Sequence, residues 1–319
     1  MDFLGVILWP IKWVIEAILV AFHSAITAIG MDPDDGLTWV LSIVGLVLVV
    51  RAALIPIFVK QIKSQRRMLE VAPQLKKIQD KYKGKKDQFS REAMSRETME
   101  VYKKTGTNPL SSCLPLLLQM PIFFGLFSVL RHAQDQELSR EDRSGVGLLN
   151  ADLSASFGDS SLWGAPLHLS ISSAGGNVTV IVIAAIMIVL MTASQFITQL
   201  QIMSKNQTPE MQNSPMYKQQ KMLLYLLPLV FLFSGFTFPL GVMFYWLVSN
   251  FWTMVQQFIV IRNMPTPGSE AALAREARMA KRNQRRGITI VEDAPEDAPV
   301  IKPSQRVQPV NPKNRKKKK

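Results

Sequence analysis

The sequence predicts an all-α polytopic membrane protein with a five-helix transmembrane core, and three observations carry that prediction. Residues Leu110–Leu130, Val178–Met203 and Met222–Ile261 contain no Asp, Glu, Lys or Arg. At about 1.5 Å of rise per residue, the first two runs each cover a hydrocarbon core of roughly 30 Å, and the third is long enough to cross it twice. A further apolar run, Leu37–Val59, holds a single charge, Arg51. Finally, the charge is segregated: mean hydropathy is only +0.12, yet the net +13 is concentrated in blocks between the apolar runs.

The elements follow in order. Residues 1–36 form an N-terminal helix and a linker. Phe3–Ile29 is long and apolar enough to span, but Lys12, Glu16, His23 and Thr27 fall within about 60° of one another on a helical wheel. This amphipathic stripe favours a helix lying in the outer interface, with an extra crossing as the alternative. Asp2 stands where a secretory signal would carry positive charge, so the segment is expected to remain in the mature chain. Residues 37–59 form the first span, and 60–109 a cytoplasmic helical hairpin. Its arms, about 60–83 and 87–104, are separated at Gly84, and Leu69, Ala72, Leu75, Ile78 and Tyr82 give the first arm an apolar face. The second arm has a weaker stripe, which predicts a loosely packed pair. Residues 110–131 form the second span, 132–177 an extracellular loop, 178–203 the third span and 204–221 a cytoplasmic loop. Residues 222–238 and 239–261 are the fourth and fifth spans, split by Gly235, Pro239 and Gly241. The tail, 262–319, lacks apolar periodicity and is expected to be disordered.

Charge sets the orientation. Lys60–Lys104 carries 14 Lys and Arg, the largest basic block beside a membrane exit, and therefore belongs in the cytoplasm. Alternation then places loop 132–176, with six acidic residues against Arg140 and Arg143, outside, and the tail from Arg262, with 15 Lys and Arg, inside. The terminal cluster Arg315, Lys316, Lys317, Lys318 and Lys319 suits RNA phosphates or anionic lipids through the same sequence-independent electrostatics.

Arg51 is the candidate functional residue. It lies nine residues before Lys60, roughly 13 Å inside the cytoplasmic boundary. A guanidinium at that depth needs water or a partner. On its own helix face it meets only Val47, Leu48, Leu54 and Ile55. Other spans supply polar groups: Gln119 in the second; Thr192, Gln195, Thr198 and Gln199 in the third; Tyr245, Trp246, Asn250, Thr253 and Gln257 in the last. A water-filled cavity open to the cytoplasm and lined by these groups would keep Arg51 charged without a carboxylate. Its positive charge would draw acidic, hydrophilic segments toward the bilayer. The three His are scattered, no metal-spaced or phosphate-loop motif occurs, and the single Cys113 forms no internal disulfide, so the reading is a non-enzyme without cofactors. A small-solute channel or transporter is the alternative function.

Three motifs then become informative together: Val50-Arg51-Ala52-Ala53-Leu54-Ile55-Pro56; Asn108-Pro109-Leu110 leading to Leu114-Pro115-Leu116-Leu117-Leu118-Gln119-Met120-Pro121-Ile122-Phe123; and Phe238-Pro239-Leu240-Gly241 leading to Tyr245-Trp246-Leu247-Val248-Ser249-Asn250. From about Leu8 to Arg262 the chain resembles the YidC/Oxa/Alb membrane protein insertases in a short actinobacterial-like form. The resemblance implies a five-helix core, an extracellular interfacial helix, a client-recruiting cytoplasmic hairpin and a hydrophilic groove closed to the outside. Arg51 matches the family's groove arginine, and Gln119, Gln195, Gln199, Tyr245, Trp246 and Asn250 carry over as groove lining. Lys76, Lys77, Lys81, Lys83, Lys85 and Lys86, with the terminal cluster, become the recruiting surface. The implied partners are nascent membrane proteins, the Sec translocon, the ribosome and anionic lipids, at a bacterial plasma membrane with the C-terminus in the cytoplasm. Val47 replaces a hydroxyl residue found one turn before the arginine in some members, which thins the polar lining expected on the first span.

Overall fold

The structure, a computed structural model, describes residues 3–85, 87–106, 114–135, 139, 141–208 and 215–286. The chain forms two compact units, Met1–Arg275 and Glu276–Lys319. Among the described residues the fold is all-α apart from one short hairpin, and three segments are long and apolar enough to cross a membrane: Leu8–Ala28, Gly36–Ser64 and Val178–Lys205.

Helix α1 (Phe3–Ala28) packs against α2 (Gly36–Lys81) and α4 (Leu114–Ala133). Its contacts descend α2. His23 stacks on Trp39, Phe22 meets Gly45, and Ile15 shares a cleft with Leu46, Val47 and Val50. Helix α1 therefore lies alongside the first part of α2, with its polar stripe against protein. Glu16 and His23 are buried, the carboxylate accepting from the Val146 and Gly147 amides at 2.9 and 2.6 Å and the imidazole Nε2 donating to the Pro33 carbonyl at 2.9 Å.

Helix α2 has 46 residues, about 69 Å by rise, so it cannot end where the membrane does. Trp39, Ile43, Leu46 and Val47 recur at helical spacing and are buried. The span expected at 37–59 continues without a break into the first arm of the hairpin. Helix α3 (Gln88–Thr105) returns as the second arm. Asp87 caps its N-terminus by accepting from the Ser90 amide, and Gly106, at φ 62°, closes its C-terminus in the left-handed region.

No residue of α3 is buried. Polar bonds from Lys81 and Tyr82 to Glu97 join the arms. That hydrogen bonding raises the Lys81 ammonium and lowers the Glu97 carboxyl from their ordinary values. A depressed carboxylate contributes stability above its unfolded pKa and loses it as pH falls through the folded one. Amide exchange in α3 is therefore expected to be fast at neutral pH relative to α6 and to quicken, beyond the intrinsic pH dependence, as acid protonates Glu97. Slow exchange throughout α3 at neutral pH would contradict this.

Residues 132–177 hold more than a loop. Helix α5 (Ala151–Asp159) and an antiparallel hairpin, β1 (Ser161–Leu162) with β2 (Ala165–Pro166), form a cap around buried Leu149, Phe157, Leu162, Ala165 and Leu167. The hairpin presses on the start of α2, where a Cβ on Gly36 would come within 2.4 Å of the Ser161 carbonyl. Glycine is required there by contact with backbone, which cannot swing aside.

Helix α6 (Val178–Lys205) begins at Asn177, whose side chain accepts from the Thr179 and Val180 amides, and it buries Val180, Ala184, Met187, Ile188, Met191, Ser194 and Thr198. It packs against α7 (Pro215–Thr237) and α8 (Leu240–Asn263), which are separated at Phe238–Pro239. Helix α7 thus starts inside the cytoplasmic loop assigned to 204–221. Helix α8 has membrane length, but Ser249, Asn250, Gln256 and Gln257 lower its hydropathy.

The tail expected to be disordered from 262 instead contains α9 (Glu270–Arg285). The Ser269 hydroxyl accepts from the Ala272 amide at 3.3 Å, and the Ala, Arg, Glu, Lys and Met that follow are strong helix formers. The apolar face of α9, Leu273, Ala277 and Ala280, is short and mostly alanine, which is too weakly hydrophobic to mark the helix in the sequence.

Candidate functional site

Four helices converge on Arg51. Ile15 of α1, Leu46, Val47 and Val50 of α2, Gln119, Ile122 and Leu126 of α4, and Tyr245 of α8 line a narrow cleft with it whose free space is about 10 Å³, on the order of one water, so the side chains nearly fill it. The Gln119 amide donates to the Tyr245 hydroxyl at 3.1 Å, and Tyr245 itself is buried. Arg51 and Tyr245 line the cleft together. Among the described residues no carboxylate pairs with Arg51.

Of the groups expected from sequence, the structure brings together Arg51, Gln119 and Tyr245. The other six lining residues are apolar, including Val47, so the cleft is less polar than a groove lined throughout by amides and hydroxyls. Gln195, Gln199, Trp246 and Asn250 lie outside this lining. Gln195 and Gln199 flank the buried face of α6, which packs on α7 and α8. Trp246 turns into an aromatic cluster, stacked on Phe123 at 5.4 Å with Phe238 and Phe231 edge-on at 5.2 and 6.3 Å. Asn250 is five residues beyond Tyr245, about 140° around the helix, and its amide nitrogen is buried without a hydrogen-bond partner. Ile15 was missed because nothing in an apolar helix marks which Ile meets a distant charge.

The end of the bundle expected to face outward is covered. The first amides of α8 are donors without intrahelical partners, and the cap satisfies two of them: Leu240 N–H donates to the Leu169 carbonyl at 2.9 Å, and Gly241 N–H to the Leu167 carbonyl at 3.0 Å. Ser172 N–H donates to the Phe236 carbonyl at the end of α7, at 3.0 Å. Glu16 holds the loop at Val146–Gly147 onto α1.

On the hairpin, Lys76, Lys77, Lys81, Lys83 and Lys85 are exposed. Lys81 bonds Glu97, and Lys81 and Lys85 lie 5.2 and 5.5 Å from the Tyr82 ring centroid. Lys86 and Arg315–Lys319 lie outside the described residues.

Comparison with known proteins agrees with this architecture. The profile of the 60Kd inner membrane protein family matches residues 31–267. The chain is 45% identical over 293 residues to a membrane protein insertase YidC of Tropheryma whipplei, covering 89% of this chain and 93% of that one. It is 44% identical over 288 residues to a protein of the same name from Streptomyces avermitilis, covering 88% and 63% respectively. A third, from Bifidobacterium longum, is 36% identical over 279 residues, covering 86% and 81%. The match takes in α2 through α8, so every cleft residue around Arg51 except Ile15 sits within the shared region, and the chain belongs to the YidC/Oxa1 family of membrane proteins.

Proposed function

We propose that this protein inserts nascent membrane proteins, receiving them from the cytoplasmic side at the Arg51 cleft and releasing them sideways into lipid. One observation carries the reading: a guanidinium with no carboxylate partner among the described residues faces a cleft at the end of the bundle covered by a hydrogen-bonded cap. Such a charge lowers the cost of bringing an acidic or hydrophilic client segment partway into the bilayer. The passing client supplies the missing counterion.

The same cap weighs against the channel or transporter alternative, which needs a path to the outside. The basic hairpin and tail face the cytoplasm in this orientation, where the ribosome, the Sec translocon and anionic lipid head groups are the partners they suit. Gln119 and Tyr245 orient the polar side of the cleft. Gln195, Gln199, Trp246 and Asn250 are proposed as the client's later contacts as it moves past α6 and α8.

Reconstitution tests this. Liposomes carrying the purified protein are expected to raise the yield of a correctly inserted, protease-protected single-span client above that of empty liposomes during cell-free translation, without making the vesicles leaky to a small solute. Equal yields with and without the protein would defeat the proposal, and solute flux without insertion would favour the alternative.

A further inference from the structure

We propose that the groove between α2 and α4 is a binding site for a client transmembrane helix, filled by α1 until a client displaces it. The inference rests on the insertase reading. Each wall of the groove carries a notch made by a glycine. A Cβ on Gly45 of α2 would lie 2.4 Å from the Phe22 ring, and one on Gly125 of α4 would lie 2.9 Å from Ile11 Cγ2 and 3.3 Å from Ile15 Cδ1. Missing side chains at such points let a helix approach closely in a membrane, where close packing drives association. Both notches are filled by α1, and α2 and α4 are bridged chiefly through it.

The groove is continuous with the functional cleft. Ile15, seated at Gly125, is the α1 residue that closes the cleft at Arg51. Withdrawing α1 therefore opens the Arg51 cleft between α2 and α4. Helix α1 itself shows what fits: an apolar helix of 26 residues bearing one carboxylate, Glu16, next to the Ile15 contact. That carboxylate is held by the Val146 and Gly147 amides, which leaves Arg51 for an acidic flank of the client. Helix α1 is also the least buried of the three membrane-length segments, with Val6, Trp9, Trp13 and Val14 exposed. It can leave without disturbing the packing of α6 with α7 and α8. A client helix taking its place exchanges one set of helix contacts for another, so differential affinity for the groove decides which is bound.

A reversible lock tests the exchange. The Cβ built on Gly125 is 3.7 Å from Ile11 Cβ, inside the range of about 3.5–4.5 Å that a disulfide needs. In a Cys113→Ser background, Ile11→Cys with Gly125→Cys is expected to form a disulfide pinning α1 in the groove. Oxidised proteoliposomes should insert an apolar single-span client roughly tenfold less than the same vesicles after reduction, because the displaced state is removed. Equal insertion before and after reduction overturns the groove proposal while leaving the insertase reading intact. Failure of wild-type and reduced protein alike to exceed empty liposomes overturns the insertase reading instead. A photoreactive diazirine side chain at position 126, with α1 unmodified, gives a second measure that needs no cysteine pair. Adducts are expected to pass from α1 to the client during translation, and adducts to α1 alone during active insertion would refute the exchange.

Discussion

Arg51→Ala is expected to slow insertion of a client with an acidic translocated tail by about tenfold or more, while Arg51→Lys retains most of the activity. The magnitude follows from the field. A client carboxylate held about 7 Å from the guanidinium at an effective dielectric of about 20 gains roughly 2 kcal/mol, which is more than a factor of ten in rate if it acts on the barrier. Lysine keeps the charge but loses the planar donor fork, and none of the described residues lining the cleft is a carboxylate that demands a bidentate geometry. A client with a neutral tail lacks the attracted charge and should insert at nearly the wild-type rate with all three proteins.

The Arg51 prediction separates function from folding. Arg51 is half-buried among Leu46, Val47, Val50 and Ile122, so removing its charge relieves desolvation and breaks no ion pair. The alanine variant should therefore be at least as resistant to thermal unfolding in detergent as wild type. Protease protection of acidic-tailed and neutral-tailed clients, measured with the unfolding midpoint, checks both halves. Equal rates for alanine and wild type on the acidic tail would remove the electrostatic role.

Much of the architecture could be read from the chain because a bilayer leaves few choices. Charge-free runs marked the helices, Pro239 marked the break between α7 and α8, and Arg51 stood out as the one charge in its run. Gln119 and Tyr245 were legible as polar residues on spans, and in the structure they hydrogen-bond to each other beside Arg51. Periodicity shows which residues share a face but not which neighbour that face meets. Gln195, Gln199, Trp246 and Asn250 were indistinguishable from Gln119 on this criterion. The stripe on α1 likewise does not name its neighbours: a polar edge facing water and one facing buried backbone amides have the same spacing. Glu16 finds its partners 130 residues away, at a distance no local pattern reports. The cap was hidden because its core is assembled from short apolar pieces of a loop with no period of its own.

Trp39→Ala is expected to destabilise the outer end of the protein by about 3–5 kcal/mol, the range for removing a large aromatic side chain from a packed core. Trp39 is fully buried at the junction of three parts of the chain. It stacks on His23 of α1 at 4.0 Å, tilts against Phe157 of α5 at 4.9 Å, and donates from Nε1 to Ser156 Oγ at 3.1 Å. Ser156 in turn donates to the Pro33 carbonyl, which also accepts from His23. One truncation thus empties a large volume, removes the ring that His23 and Phe157 pack on, and takes away the donor to Ser156. The unfolding midpoint should fall by on the order of 5–10 °C. Trp39→Phe keeps most of the stacking and loses one hydrogen bond, so its cost should be nearer 1–2 kcal/mol. Because the cap covers the bundle through this junction, the alanine variant should also make liposomes leakier to small ions than wild type at a temperature where both remain folded. An unchanged midpoint would show that Trp39 does not hold the cap. A lowered midpoint without leak would show that the carbonyls of Leu167 and Leu169, bonded to the start of α8, close the outer side without it.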